Sequence, residues 1–286
     1  MSIKIITDST ADLPSALAKE FGITVIPAYL RLGEVVYRDR ISFSDEEFYE
    51  RMLDGAVYPV TEPATPDDFA TVYKEVAQEA GGIISIHISS KISATYNAAL
   101  QGKKLAAIEC PIEVIDSESI SMGLGLLSIA ATEVTQSNEA FPEVVNEVRR
   151  MVPSLRMLGF FDSVKYMARG GRINRAAAFF GSMLNIRPML TTNNGEVEPA
   201  GHVYRRATGI QRLYQFVNKT NDIQDAAVVY STTPKEAQEI ADSIKPLVPL
   251  GRIYLTQMGP ILGAHGGPGA LMVALRTGSS NTDTKG

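Results

Sequence analysis

Gly82-Ile83-Ile84-Ser85-Ile86-His87, followed by Ser89-Ser90-Lys91-Ile92-Ser93-Ala94-Thr95-Tyr96, decides the fold. The first six residues form an apolar run of strand length, the pattern of a strand buried on both faces. The next stretch is rich in hydroxyls, and Asn97 to Ala107 carries a helical pattern. A polar loop that leaves a buried strand and opens a helix presents backbone N–H groups and the positive end of the helix dipole. Hydroxyls added to such a loop make it a seat for an anion such as a carboxylate.

The same strand–helix rhythm recurs on both sides of this stretch. Ile3 to Thr7 reads as a strand; Asp12-Leu13-Pro14 then supplies a cap and a helix-opening proline, and Gly22 closes that helix. Ile23 to Ala28 reads as a second strand, and 29–40 alternates around Gly33-Glu34 as a small hairpin excursion. Ser44 with Glu47 has the form of a capping box for a helix reaching Leu53, and Thr65-Pro66-Asp67-Asp68 opens another reaching about Ala80. Ile112 to Ile115 is the next strand, followed by helices over Ser119–Gln136 and Phe141–Val152. This predicts an α/β, Rossmann-like first domain with a mostly parallel sheet, residues 1–153.

The pattern changes at Pro153. The second half begins with Leu155 to Phe161 and passes through Arg169-Gly170-Gly171-Arg172, and strand patterns over Pro188–Thr192 and Glu196–Val203 flank Asn193-Asn194-Gly195, a hairpin signal. A helix over Arg206–Lys219, a strand over Ala226–Ser231, a helix over Pro234–Ile244 and a strand over Arg252–Gln257 follow. The expectation is a second, α+β domain over 154–276 with a mixed or antiparallel sheet, and a frayed, small-residue tail over 277–286.

Composition excludes several classes. The chain has 286 residues, 45% of them apolar, and a net charge of −5, so it has no general attraction to nucleic acid. Its one cysteine, Cys110, rules out a disulfide framework within the chain and favours a cytoplasmic setting, as does an N-terminus that enters a strand without a signal-peptide pattern. No apolar run reaches the roughly 20 residues of a membrane span. Three dispersed histidines and one cysteine give no metal-ligand spacing.

The polar strand endings Asp8-Ser9-Thr10, Ser89 to Thr95 and Asp116-Ser117 lie where open parallel sheets bind ligands. Capping explains the first and third; the second holds more hydroxyls than a cap requires, which favours Ser93 as a ligand contact. In Gly259-Pro260-Ile261-Leu262-Gly263-Ala264-His265-Gly266-Gly267-Pro268-Gly269-Ala270, glycine density points to close backbone approach, with His265 a ligand candidate ahead of an apolar helix beginning at Ala270. His87 and His202 lack that context. In Thr61-Glu62-Pro63-Ala64-Thr65-Pro66 two prolines stiffen an extended loop; Thr65 is an N-cap, whereas Thr61 has no such duty and is free to face a pocket.

Taken with Gly170-Gly171-Arg172-Ile173, these segments in order resemble the DegV family, from Lys4 to about Leu275. The resemblance implies a two-domain architecture with a long-chain fatty acid buried between the domains. It also implies that Thr61, Ser93 and His265 surround the carboxylate, with Ser9, Ala94, Thr95 and Gly266 as supporting loop residues. A fatty acid kinase subunit would phosphorylate the carboxylate, the carrier itself having no catalytic role and no cofactor. Arg172, Arg169 and Arg205 are the candidates for contact with that partner or with phosphate, and transient contact with a membrane surface is compatible with such a carrier. There are departures from the family pattern. Ala94 replaces a usual glycine, Glu62 replaces a hydroxyl residue and is expected to face solvent, and Ala168-Arg169 stands where lysine is common. Phe160, Phe161, Phe179, Phe180, Met183, Leu184 and Ile186 are candidates to wall the acyl chain.

The rival readings are weaker. A lipid or ester hydrolase would use Ser93 as nucleophile and His265 as base, but no Gly-x-Ser-x-Gly elbow frames any serine and no third orienting group can be assigned. Gly123-Leu124-Gly125 is a lone Gly-x-Gly inside a helix pattern, better explained by helix packing than by a dinucleotide.

Overall fold

The computed structural model describes residues 2–42, 44–54, 58–137, 139–170, 185–248 and 251–278. Strand β1 (Ser2–Asp8) pairs in parallel with β2 (Thr24–Ile26) on one side and β6 (Ala80–His87) on the other, and β7 (Ile112–Asp116) extends the parallel sheet beyond β6. Ile5 and Ile6 on β1 and Ile83, Ile84 and Ile86 on β6 are all buried, which is why these strands read as mainly apolar runs without strict alternation. The order β2-β1-β6-β7 reverses direction between β1 and β6, so the carboxyl ends of those two strands flank the crevice where such sheets take ligands.

The hairpin excursion forms as expected, from β3 (Tyr29–Leu32) and β4 (Val35–Arg38). It also recruits β5 (Val60–Glu62), in which Thr61 is paired with Leu30. The stretch before Thr65 is therefore a strand at this point, with the two prolines, Pro63 and Pro66, beyond its end. Thr65 does cap the helix Pro66–Val76, reciprocally with Asp68. Ser44 accepts from the Glu47 N–H at the start of Asp45–Leu53. Asp12 does not cap the Ser15–Glu20 helix; it is buried in a left-handed conformation (φ 52°) and bonds elsewhere.

The second sheet has six strands: β8 (Leu155–Phe160), β9 (Arg187–Asn193), β10 (Glu196–Val203), β11 (Ile223–Tyr230), β12 (Ile253–Gln257) and β13 (Leu271–Thr277). Their order is β10-β9-β8-β13-β11-β12, antiparallel throughout except for β11 and β12. The helix expected from Ala270 is thus a strand, and a central one. Leu271 to Leu275 are buried on both faces, and a short apolar run of this kind has no period by which to tell strand from helix. The glycine run before it is not all loop either, since Pro260–Gly266 is helical and His265 lies in its last turn.

The helix Ser121–Val134 packs against β1 and β6 of the first sheet and β8, β11 and β13 of the second. Every residue from Ser121 to Thr132 is buried, so the helix is apolar all round, as a helix enclosed on every side must be. Gly123 and Gly125 lie in its interior: a Cβ on Gly125 would come 2.8 Å from the Ala11 carbonyl oxygen, which gives the Gly-x-Gly its packing reason. One core runs through this helix from Ile5 and Ile86 to Met157 and Met272.

Candidate functional site

Two adjoining cavities share Ile92, Leu262 and His265 in their walls. The polar one, about 530 Å³, lies at the crevice between the β1 and β6 ends. Four hydroxyl residues, Thr10, Thr61, Ser93 and Thr95, border it together with His265. The structure therefore brings together the three residues singled out in sequence from three distant segments.

His265 Nε2 lies 3.0 Å from Thr61 Oγ1. If Nε2 carries the proton, it donates to Thr61 and leaves the threonine hydroxyl proton for a ligand. The imidazole is seated against Gly170, where a Cβ would fall 2.0 Å from Nδ1, so the first glycine of the Gly170-Gly171 pair is needed for close approach. Ser93 Oγ accepts from the Thr95 N–H at 3.2 Å and lies 2.8 Å from Thr95 Oγ1. Ser93 thus satisfies a first-turn donor of the Thr95–Ala106 helix while its oxygen borders the cavity. The end of that helix and the hydroxyls together favour a negative group. Ala94 is exposed at the cavity edge, and Gly266 borders the second cavity.

Ser9 is placed elsewhere. Its hydroxyl accepts from the Ala28 N–H at 3.0 Å and it borders a different cleft, while its neighbour Thr10 faces the polar cavity. The short 3-10 turn Ser9–Ala11 makes that one-residue exchange, which strand periodicity does not reveal. Glu62 also borders the cavity but directs its carboxylate to Arg31 on the surface, where the pair is nearly half exposed.

The second cavity, about 700 Å³, is apolar. Met157, Gly159 and Phe161 present one face of β8 and its continuation to it, and Leu190 and Met272 face it from the neighbouring strands. Gly159 keeps this space open, because a Cβ there would meet the Phe161 ring at 2.6 Å and Met272 at 3.1 Å. Phe160, expected among the walls, points to the opposite face of the sheet, where it packs with Leu213 and Val217 beneath the Arg206 guanidinium. Ile186 is buried in the core cluster that surrounds the cavity. Phe179, Phe180, Met183 and Leu184 lie outside the described residues.

The arginines divide in the same way. Arg206 is committed to Asp162, Glu236 and the Gly269 carbonyl oxygen, and Arg212 donates to the His202 carbonyl oxygen, so these two brace the fold. Arg169 is exposed, with its guanidinium 5.5 Å from the Tyr58 ring centre, and Arg205 is exposed just ahead of the Arg206–Lys219 helix. Arg172 and Arg175 lie outside the described residues.

Sequence reasoning missed a buried charge cluster behind the site. Asp12 accepts from the Gly259 N–H at 2.8 Å and from Ser121 Oγ at 2.5 Å, and lies 3.5 Å from Arg40, which also faces Asp45 at 3.2 Å. Burial pushes Asp12 up to about 6, against the pull of Arg40 and its hydrogen bonds. The Arg40 guanidinium donates to the carbonyl oxygens of Leu13 and Gln257, tying the hairpin to the segment that leads into the His265 helix. The only hint in the sequence was Asp12 itself, explained there as a cap.

No helix among the described residues is long and apolar enough to cross a membrane, and among them no group of three or more acidic, histidine or cysteine side chains could hold a metal ion.

A family model described as "Uncharacterised protein, DegV family" matches residues 2–277, and the chain belongs to that family. A DegV domain-containing protein of Caldanaerobacter subterraneus subsp. tengcongensis is 31% identical over 271 residues, covering 94% of this chain and 96% of that protein. Among solved structures, a DegV family protein from Thermus thermophilus described by its fatty acid binding superposes with a TM-score of 0.86 at 28% identity, covering 97% of this chain and all of that one. DegV from Bacillus subtilis, described as a fatty acid binding protein, gives a TM-score of 0.89 at 26% identity with the same coverage.

Proposed function

We propose that this protein binds a long-chain fatty acid, with its carboxylate among Thr61, Ser93 and His265 and its acyl chain in the apolar cavity. The observation that carries this reading is the pairing of a hydroxyl-lined cavity with an apolar one through a shared wall that includes His265. An amphiphile with one small anionic end and a long apolar body matches that division. Each buried methylene is worth about 0.8 kcal/mol, and charge-assisted hydrogen bonds offset desolvation of the head. The fatty acids bound by the relatives from Thermus thermophilus and Bacillus subtilis support the same ligand class.

The two cavities together would form a buried tunnel from which the carboxylate is offered to a fatty acid kinase subunit, with Arg169, Arg172 and Arg205 as the candidate contacts for the partner or its phosphate. The chain would act as a carrier rather than as a hydrolase. His265 Nε2 is engaged with Thr61 and Ser93 Oγ with Thr95, so the two side chains of the hydrolase reading are each turned to a different partner.

Extraction and mass spectrometry of lipid from the purified protein tests the central claim. The expected result is a stoichiometric long-chain acid. Recovery of a trace only, together with failure to bind added palmitate or oleate, would remove the proposal.

A further inference from the structure

A cleft of about 810 Å³ lies away from both cavities, between the Ser15–Glu20 helix, the end of β2 and the turn at 39–41. Its walls are mostly apolar, with Leu13, Ile23, Val25 and Ile41 among them, and Asp39 is also part of them. Asp39 is 1% exposed, and neither of its carboxylate oxygens has a hydrogen-bond partner among the described residues. A buried carboxyl group without partners is costly and calls for an explanation.

The neighbours do not supply one. The Ser9 hydroxyl accepts from the Ala28 N–H and keeps a proton that favours the ionised form of Asp39 from nearby, but at the distance and angle of a hydrogen bond neither Asp39 oxygen is met. Arg40 is adjacent in sequence, yet its terminal nitrogens are held by the carbonyl oxygens of Leu13 and Gln257, and its charge already faces Asp12 and Asp45. Three carboxyl groups, those of Asp12, Asp39 and Asp45, therefore share one guanidinium. The Tyr49 hydroxyl donates to the Met258 carbonyl oxygen and brings no positive charge. Lys19 borders the same cleft from its exposed side.

We propose that this cleft is a second ligand site, which takes a small amphiphilic monoammonium compound. The charged nitrogen donates to the Asp39 carboxylate, and the apolar body lies against Leu13, Ile23 and Val25. An ammonium head suits the site because it brings both the missing charge and several donors on one compact group. Lys19 at the rim disfavours a second positive charge on the ligand, so a diamine fits less well than a monoamine. Burial pushes Asp39 up to about 7, with Asp12 and Asp45 adding to the rise and Ser9 and Arg40 opposing it. Ammonium binding draws on the ionised form, so affinity should fall as pH drops below 7. This site is independent of the fatty-acid reading and survives its failure.

The test is titration of the full chain with butylammonium, followed by calorimetry and by backbone amide shifts, with butanol, butyrate and 1,4-diaminobutane as comparison probes. Saturable binding of butylammonium, weaker binding of the diamine, and no binding of butanol or butyrate are expected. Asp39→Asn should lower butylammonium affinity by about tenfold or more, the equivalent of one charged hydrogen bond. Ile41→Trp, at an exposed position bordering the cleft, should obstruct entry while leaving Asp39 in place, which keeps the proposal testable if Asp39→Asn fails to fold. Absence of saturable butylammonium binding would overturn it, leaving a cleft that holds water only. So would equal binding of butanol, or unchanged affinity in both variants.

Discussion

His87 and His265 each face a hydroxyl at hydrogen-bonding distance, and the two regions around them behave differently. On β6, Ser85 Oγ lies 2.7 Å from His87 Nε2, and His87 Nδ1 lies 2.9 Å from Asp8 Oδ2. By distance alone this is a serine–histidine–aspartate constellation. All three side chains are buried, none borders either cavity or the cleft beside Asp39, and the Tyr73 hydroxyl donates to Ser85 at 2.9 Å, so no substrate reaches the serine. His265 faces Thr61 and forms a wall of two cavities. The first arrangement is a satisfied core network; the second borders open space, where the proposed ligand head would sit. Access separates them more sharply than the identity of the residues.

The largest test breaks the closed network. His87→Ala leaves the Asp8 carboxylate buried without its ring partner, which should cost about 3–5 kcal/mol of unfolding free energy by urea titration. If instead fatty-acid affinity collapsed at unchanged stability, the division between the two histidines would be wrong. The open site gives the middle-sized effect. Ser93→Ala, Thr61→Val and His265→Ala should each weaken binding of the acid by about 1.5–3 kcal/mol and weaken binding of the matching fatty alcohol less. Equal losses for acid and alcohol would mean that these side chains shape the loops without reading the head group.

The smallest effect is a slope. Asp12 and Asp39 are raised to about 6 and about 7 in the folded chain, against roughly 3.9 when unfolded. The folded state therefore holds more protons than the unfolded state between those values. Their contribution to stability is complete below about pH 4 and is lost as pH rises toward 7. Melting temperatures of the wild type and Asp12→Asn between about pH 5 and pH 8 should converge at the acid end and separate at the alkaline end. Parallel curves would show that Asp12 shares its titration with no folding step.

Much of this was legible in the sequence, for identifiable reasons. The parallel sheet announced itself because strands buried on both faces are continuous apolar runs, and Arg206–Lys219 and Pro234–Ile244 form helices over the residues their pattern specifies. Ser93 and His265 stood out because loops with surplus hydroxyls or glycines demand a reason, and Thr61 because it has no capping duty. What stayed hidden depends on tertiary neighbours. Ser9 and Thr10 exchange roles through a single 3-10 turn, and Phe160 and Phe161 part company because adjacent strand residues face opposite sides. Asp39 and Arg40 carry no local signal at all, since their environment is assembled from segments more than 200 residues apart in sequence, Gln257 among them. β13 was misread because an apolar run at the centre of a sheet has no periodicity of its own.

The position of β13 has a consequence for how the chain is made. Every other strand of the six-stranded sheet precedes Leu271 in sequence, yet β13 is what joins β8 to β11. A nascent chain on the ribosome can therefore assemble the parallel sheet early, whereas β10-β9-β8 and β11-β12 remain two separate pieces until residues 271–277 leave the exit channel. Met272, one wall of the apolar cavity, arrives with them. On the proposed function, acquisition of an acyl chain would wait until translation has passed that strand, and a growing polypeptide would have no finished greasy compartment to fill prematurely.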